Sequence, residues 1–310
     1  MIRLIGVRLV GGLATILAAS ILIYVVMELL PGDAAQAVLQ REASDPQVLA
    51  QLRREYGLDR PLVTRYVDWI GGAAQGDFGT SLGNGQPVMT LLEVPLKNTA
   101  VLLSITLLLL FPFAVLLGTA SALRRHTWTD SGLQTMTLVL ASLPSFIVGI
   151  LLILLFSFTW NVLPAVSLDL EPKSLALPVA TLVLGWVPLT ARMVRAGIVD
   201  VLDSDFVQMA RLKGVPERRV VRRHVLPNAL VPGIQAFALT AASMPAGIII
   251  VEFLFSFHGL GNTLVQAVEN RDAAIVEAVT LMLVMVYVVA NLLSDIATVF
   301  LTPRLRTQAG

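Results

Sequence analysis

The 310 residues are 56% hydrophobic and 14% charged, carry a formal net charge of +1 and include no cysteine. Such a chain is too apolar for an ordinary soluble domain, and its charge supplies no global field for nucleic acid. Disulfides, thiolate metal sites and cysteine nucleophiles are excluded together.

A helix crosses a bilayer core with roughly 20 apolar residues. Six segments qualify: about 9–30, 97–123, 132–158, 175–196, 229–252 and 276–300. Arg3 and Arg8 precede the first, as in a signal peptide, but the run is long and ends in Glu28 and Pro31 without a small-residue cleavage site. A retained anchor is expected. Segment 31–96 is then too long for a simple turn. It opens with PGD at Pro31–Asp33, and Asp45-Pro46 introduces a helical pattern that stops at Gly57. RPLVTRYVDWIGG follows, an amphipathic stretch with Leu62, Tyr66 and Trp69–Ile70 on one side, and then the glycine-rich GDFGTSLGNG. A phosphate cradle there would need a Lys-Ser/Thr pair and a preceding strand; both are missing, so a structural turn is expected. No Gly-Lys-Ser/Thr motif occurs anywhere, so the chain hydrolyses no nucleotide through a P-loop of its own.

Pro112, Pro144, Pro232 and Pro245 fall within spans, where neighbouring helices can satisfy the freed carbonyls. Kinked helices packed as a bundle are expected. The fourth span is the weakest, since it contains Pro178 and Pro188 and ends at Arg192 and Arg195.

Between the fourth and fifth spans lies a polar insert, Asp203–Asn228. Asp203, Ser204 and Asp205 offer N-cap side chains and place negative charge at the positive end of a helix. Residues 206–213 continue that helix, with Phe206, Met209 and Ala210 at helical spacing and Arg211 and Lys213 at its end. Gly214 stands where a left-handed C-cap is wanted. Pro216 and Glu217 suit the first turn of a second helix, which bears Arg218, Arg219, Arg222 and Arg223. The expectation is two short helices around a glycine corner. A docking surface and a plain basic loop obeying topology rules both fit these residues.

With the N-terminus inside, fourteen of the 22 basic residues fall on the cytoplasmic side: Arg3, Arg8, Arg124, Arg125, the eight from Arg192 to Arg223, Arg304 and Arg306. Five of the others lie in the long 31–96 segment, where charge counts little. Both termini and the 203–228 insert are therefore expected in the cytoplasm.

Catalytic constellations are poor. His126 and His224 lie on the inner side and His258 on the outer, so no shared metal site is expected. The acids Glu28, Glu252, Glu277 and Asp295 lie near span ends, where structural or gate-lining roles fit better than proton coupling. An intramembrane enzyme needs a paired set, and Ser142, Ser145, Ser243 and His258 form no recognisable one. A stand-alone secondary transporter or channel would favour an inverted repeat, a deep ion-binding acid or polar pore rings. No convincing repeat relates the halves.

Gln208-Met209-Ala210, three residues, Gly214, nine residues and His224-Val225-Leu226-Pro227 have the spacing of the EAA loop of ABC importer permeases. The chain departs from that motif at Gln208, Met209 and His224. The surrounding DFVQMARLKGVPERRVVRRHVLPNALVP resembles the variant found in the dipeptide, oligopeptide and nickel permeases. LPGD (30–33), YGLDRPL (56–62), GDFGTSL (76–82), LPSF (143–146), LPA (163–165), GLG (259–261), NRD (270–272) and the closing NLLSDIATVFLTPRLR are similar to that family too. Phe257-His258 replaces the more usual Trp-Pro before GLG, and Ser243-Met244-Pro245 interrupts a normally glycine-rich helix.

The resemblance implies an all-α type I ABC importer permease fold in the bacterial inner membrane. It has six transmembrane helices, cytoplasmic termini and a long extracytoplasmic segment after the first helix. Residues 1–96 would hold that helix and segment, 97–302 the transmembrane domain with its coupling loop, and 303–310 a cytoplasmic tail. It also implies that Asp205, Phe206, Gln208, Met209, Ala210, Lys213, Gly214, Arg218, Arg219, Leu226 and Pro227 couple to an ATPase, with Phe206 and Ala210 presenting the buried contact. Pro245, Glu252 and His258 are candidates for the gate or pathway. The implied partners are a second homologous permease chain, two cytoplasmic ATP-binding subunits carrying ATP and Mg, and an external substrate-binding protein. The chain itself would bind no cofactor. Peptides are the expected cargo, with nickel chelates as the alternative.

Overall fold

A computed structural model describes residues 2–29, 59–81 and 83–301, and of their side chains those at 6–29, 59–81 and 83–296. The LPGD motif, the helical pattern ending at Gly57, Arg304, Arg306 and the 303–310 tail lie outside the described residues. Within them, α1 (Ile2–Leu29) and α2 (Leu62–Ala73) are followed by the long α3 (Val88–Leu123). Next come α4 (Trp128–Ser142) and α5 (Ser145–Leu152), the latter extended by a π-helical segment, Ile153–Thr159. The chain continues through α6 (Pro172–Leu202), α7 (Asp205–Leu212), the one-turn α8 (Glu217–Val220) and a second π segment, Val221–Val225. It finishes with α9 (Leu226–Leu254), α10 (Leu260–Glu269) and α11 (Ala273–Leu301).

Among the described residues five helices are long and apolar enough to cross a membrane, and the bent pair α4–α5 makes a sixth if counted as one span. That pair corrects the reading of 132–158 as a kinked helix, because its two halves meet at 107°. Leu143 is extended (φ −92°, ψ 130°), the conformation a following proline favours. Pro95, Pro112, Pro178, Pro188, Pro232 and Pro245, by contrast, sit inside unbroken helices.

The weakest span by hydropathy is the centre of the bundle. α6 packs against α3 and α9 and is the most buried of the five, while α1 lies at the periphery against α11. A helix surrounded by protein tolerates prolines and arginines that lipid would not. Arg195 shows how. It donates to Asp130 through Nε (2.9 Å) and Nη2 (2.7 Å), and Ser121 Oγ donates to the same carboxylate at 2.5 Å. This bidentate pair ties α6 to α4 and α3.

At one end of the bundle, α2 packs on α1 through Tyr24, Tyr66 and Trp69, whose ring centroids lie 5.4–6.2 Å apart. Arg65 pairs with Glu28 at 2.5 Å. The glycine-rich stretch is a tight turn, as expected, with Gly76, Gly79 and Gly85 at positive φ and a single antiparallel bridge between Thr80 and Pro87. Asp272 accepts hydrogen bonds from Ser81 Oγ and from Gly83 N (3.4 Å), and caps α11 by accepting from Ile275 N (3.3 Å). The first ten residues of α3 therefore stand at this end, and the helix begins nine residues before the predicted span.

Candidate functional site

The 203–228 insert lies at the opposite end, and it is one bent lever rather than two free helices. Its first arm is α7. Ser204 is its N-cap residue, but the Ser204 hydroxyl donates to the Val201 carbonyl at the end of α6 (2.5 Å) instead of capping α7. Asp203 is drawn off by Arg125 (2.8 Å), which leaves Asp205 in the first turn to face the helix dipole. Arg125 holds the Asp203 carboxyl below its ordinary range, mainly through their hydrogen bond.

The corner is a Schellman motif. Gly214 N donates to Arg211 O (2.9 Å) and Val215 N to Ala210 O (3.2 Å), with Gly214 at φ 76°. A Cβ on Gly214 would touch nothing within 4 Å, so its backbone conformation, and not crowding, calls for glycine. Arg211 spans the corner with a fork to Glu217 (Nε to Oε2 3.1 Å, Nη2 to Oε1 2.6 Å).

The second arm differs from the expected short helix. α8 runs without a break through the π segment into α9, a continuous rod from Glu217 to Leu254. Arg218, Arg219, Arg222 and Arg223 are exposed on it, as is Pro227, while Leu226 packs inward. Beside the insert, α6 and α9 meet almost backbone to backbone. A Cβ on Gly197 would lie 2.4 Å from Ala229 O, and one on Gly233 2.3 Å from Val194 Cγ2. Small residues at such crossings let helices interlock.

Burial divides α7 into two faces. Val207 and Ala210 close onto Leu202, Val220 and Val225. Ala210 thus corrects the expectation that it presents an outward contact, for its side chain is already covered by the chain itself. The outer face carries Phe206 (47% exposed), Met209 (52%) and Leu212 (83%), flanked by Gln208 and Lys213. Leu212 escaped the sequence reading, although helical spacing from Met209 and Phe206 pointed to it.

Of the three gate candidates, the structure brings Glu252 and His258 near one another and buries Pro245 inside α9. Glu252 is fully buried. It accepts from Thr99 Oγ1 (2.6 Å), Gly261 N (2.6 Å) and Asn262 N (3.4 Å), and Thr99 in turn accepts from Leu260 N (2.8 Å). These are the free N–H groups of the first turn of α10, whose N-cap residue, Gly259, has no side chain of its own. Glu252 is therefore an internal cap joining α9, α3 and α10, the structural of the two roles expected for it. A Cβ on Gly259 would lie 2.3 Å from Glu252 Oε1, so the GLG glycines make room for this carboxylate. His258 is exposed, and its carbonyl accepts from Asn98 Nδ2 (2.7 Å). The acids Asp295 and Glu28 are both paired, Asp295 with Arg8 at 2.9 Å. Among the described residues no three His, Asp or Glu side chains gather as a metal site.

Comparison with known proteins accounts for this arrangement. The family described as binding-protein-dependent transport system inner membrane component matches residues 114–307, and its N-terminal companion matches residues 1–114. The glutathione transport system permease protein GsiC of Escherichia coli (strain K12) is 34% identical over 299 residues, covering 96% of this chain and 97% of its own length. GsiC of Salmonella typhimurium (strain LT2) has the same identity and coverage. These matches are to membrane permease components of transport systems and not to enzymes. The chain belongs to the binding-protein-dependent transport inner membrane component family and is a multi-pass permease subunit of an ABC importer.

Proposed function

We propose that this permease is driven from the cytoplasm through the 203–228 lever and forms half of a translocation path for short peptides or related small solutes. The observation that carries this is the exposed apolar face of Phe206, Met209 and Leu212 on an arm whose other face is locked to α6 and α9. An apolar helix face outside the membrane spans suits insertion into a groove on another protein. The family works with ATPase subunits and a substrate-binding protein; in this reading two ATP-binding subunits, holding ATP and Mg, each receive a lever. The second lever belongs to a homologous permease chain, and the binding protein docks at the opposite end, outside the cell. Arg218 and Arg219 flank the groove contact, and the Gly214 corner transmits rotation of the ATPases to α9. Peptide cargo is supported by the glutathione permeases that the chain resembles over nearly its whole length.

Replacing Phe206 and Met209 together by alanine tests the reading. The variant inserts and melts as the wild type does, yet loses the ATPase subunits on purification and loses uptake. Retained association and uptake would overturn the assignment of this face.

A further inference from the structure

The end of the bundle opposite the lever contains an open cleft of about 600 Å³, within the range of small-molecule sites. Its polar walls come from three places that the Glu252 cap holds together, and Val94, Leu168 and Phe253 complete it with apolar surface. Asn98 projects from α3; Asn262, Gln266 and Glu269 lie at helical spacing along one face of α10; Ser256 and His258 come from the linker between α9 and α10. That linker is rigidly seated. Phe255 and Phe257 are buried, and the Ser256 and His258 side chains between and after them stand exposed. Phe257 N donates to Glu252 O (2.8 Å), Ser167 N to Phe255 O (2.8 Å) and Asn98 Nδ2 to His258 O (2.7 Å).

The polar part of the lining is one-sided in charge. It offers three carboxamides, a hydroxyl and an imidazole, one carboxylate in Glu269, and no lysine or arginine. Carboxamides both donate and accept, as a peptide backbone requires, and a lone carboxylate favours an ammonium group. Phe253 joins the cleft to an exposed stripe along α9 formed with Leu239, Ala246 and Ile250, so the cleft opens onto the same helix that the lever moves.

We propose that this cleft is a substrate vestibule that receives the amino-terminal end of a short peptide, with Glu269 selecting its ammonium group and Asn98, Asn262 and Gln266 bonding its first amides. The proposal rests on the reading of the chain as a peptide permease with its lever in the cytoplasm.

The chain has no cysteine, so Ser256→Cys gives this subunit a unique thiol in the assembled transporter. In right-side-out membrane vesicles a membrane-impermeant maleimide labels it. Saturating trialanine slows that labelling about tenfold more than N-acetyl-trialanine does, the effect of one hydrogen bond to a charged group. Adding Glu269→Gln abolishes the difference. Equal protection by the two peptides, protection by neither, or protection by the binding protein alone overturns the vestibule and leaves the permease reading standing. Labelling of the introduced thiol only after the vesicles are opened overturns the orientation itself.

Discussion

The two ends of the bundle use glycine for opposite reasons. At the lever, Gly214 stands in open space and is required by a backbone angle, and the helix beside it shows its apolar face to the exterior. At the other end, Gly259 and Gly261 are required by crowding against Glu252 and Ile249, and the buried Glu252 carboxylate is satisfied within the chain. One glycine serves a turn beside an exposed apolar face, and the others serve a buried internal cap. Substitutions should therefore separate folding from coupling according to the end they strike.

The largest loss of stability is expected from Glu252→Ala. It strands the Thr99 hydroxyl and two backbone N–H groups in a buried site and costs about 3 kcal/mol; Glu252→Gln, which keeps an acceptor, costs less. Thermal melting of the solubilised transporter measures the difference. A comparable loss, about 3 kcal/mol, is expected when Asp130→Asn leaves Arg195 without its counter-charge. Gly259→Ala follows, at about 2 kcal/mol for an overpacked site. If it melted as the wild type does, crowding would not be what selects that glycine. Gly214→Val strains one residue at φ 76° by about 1–2 kcal/mol and meets no neighbour, so the protein remains inserted while uptake is lost and ATP hydrolysis continues. Parallel loss of melting temperature and uptake at both glycines would erase the distinction between the ends.

The smallest effect is expected at Asp203, exposed and paired with Arg125. Because the folded state lowers this carboxyl's pKa, its contribution is fully present above the ordinary aspartate value of 3.8 and fades as pH falls through the lowered one. Melting curves of wild type and Asp203→Asn should differ slightly near neutral pH and converge in acid. A difference that grew toward low pH would contradict the pairing.

Local patterns were legible along the chain. The apolar runs announced the spans, and Gly214 with Pro216 announced the corner, because capping and turn chemistry act within a few residues. Asp130, whose N–H donates to the Thr127 hydroxyl at the start of α4 (3.4 Å), went unread in the sequence. Its larger role could not be read, since Arg195 lies 65 residues away. Hydropathy ranked α6 last among the spans because such scales take lipid as the surroundings, and this helix is surrounded by protein.

By itself the sequence determined that the chain crosses a membrane several times, that a polar lever interrupts it, and that it carries no nucleotide-hydrolysing P-loop. Tertiary structure alone decided that a span breaks before Pro144 into halves bent by 107°, that Ala210 turns inward while Leu212 faces out, and that Glu252 caps the start of α10. The physical reason is range. Propensity and capping are written in neighbours three or four residues apart, whereas burial and charge partnership depend on which distant segments the fold brings together.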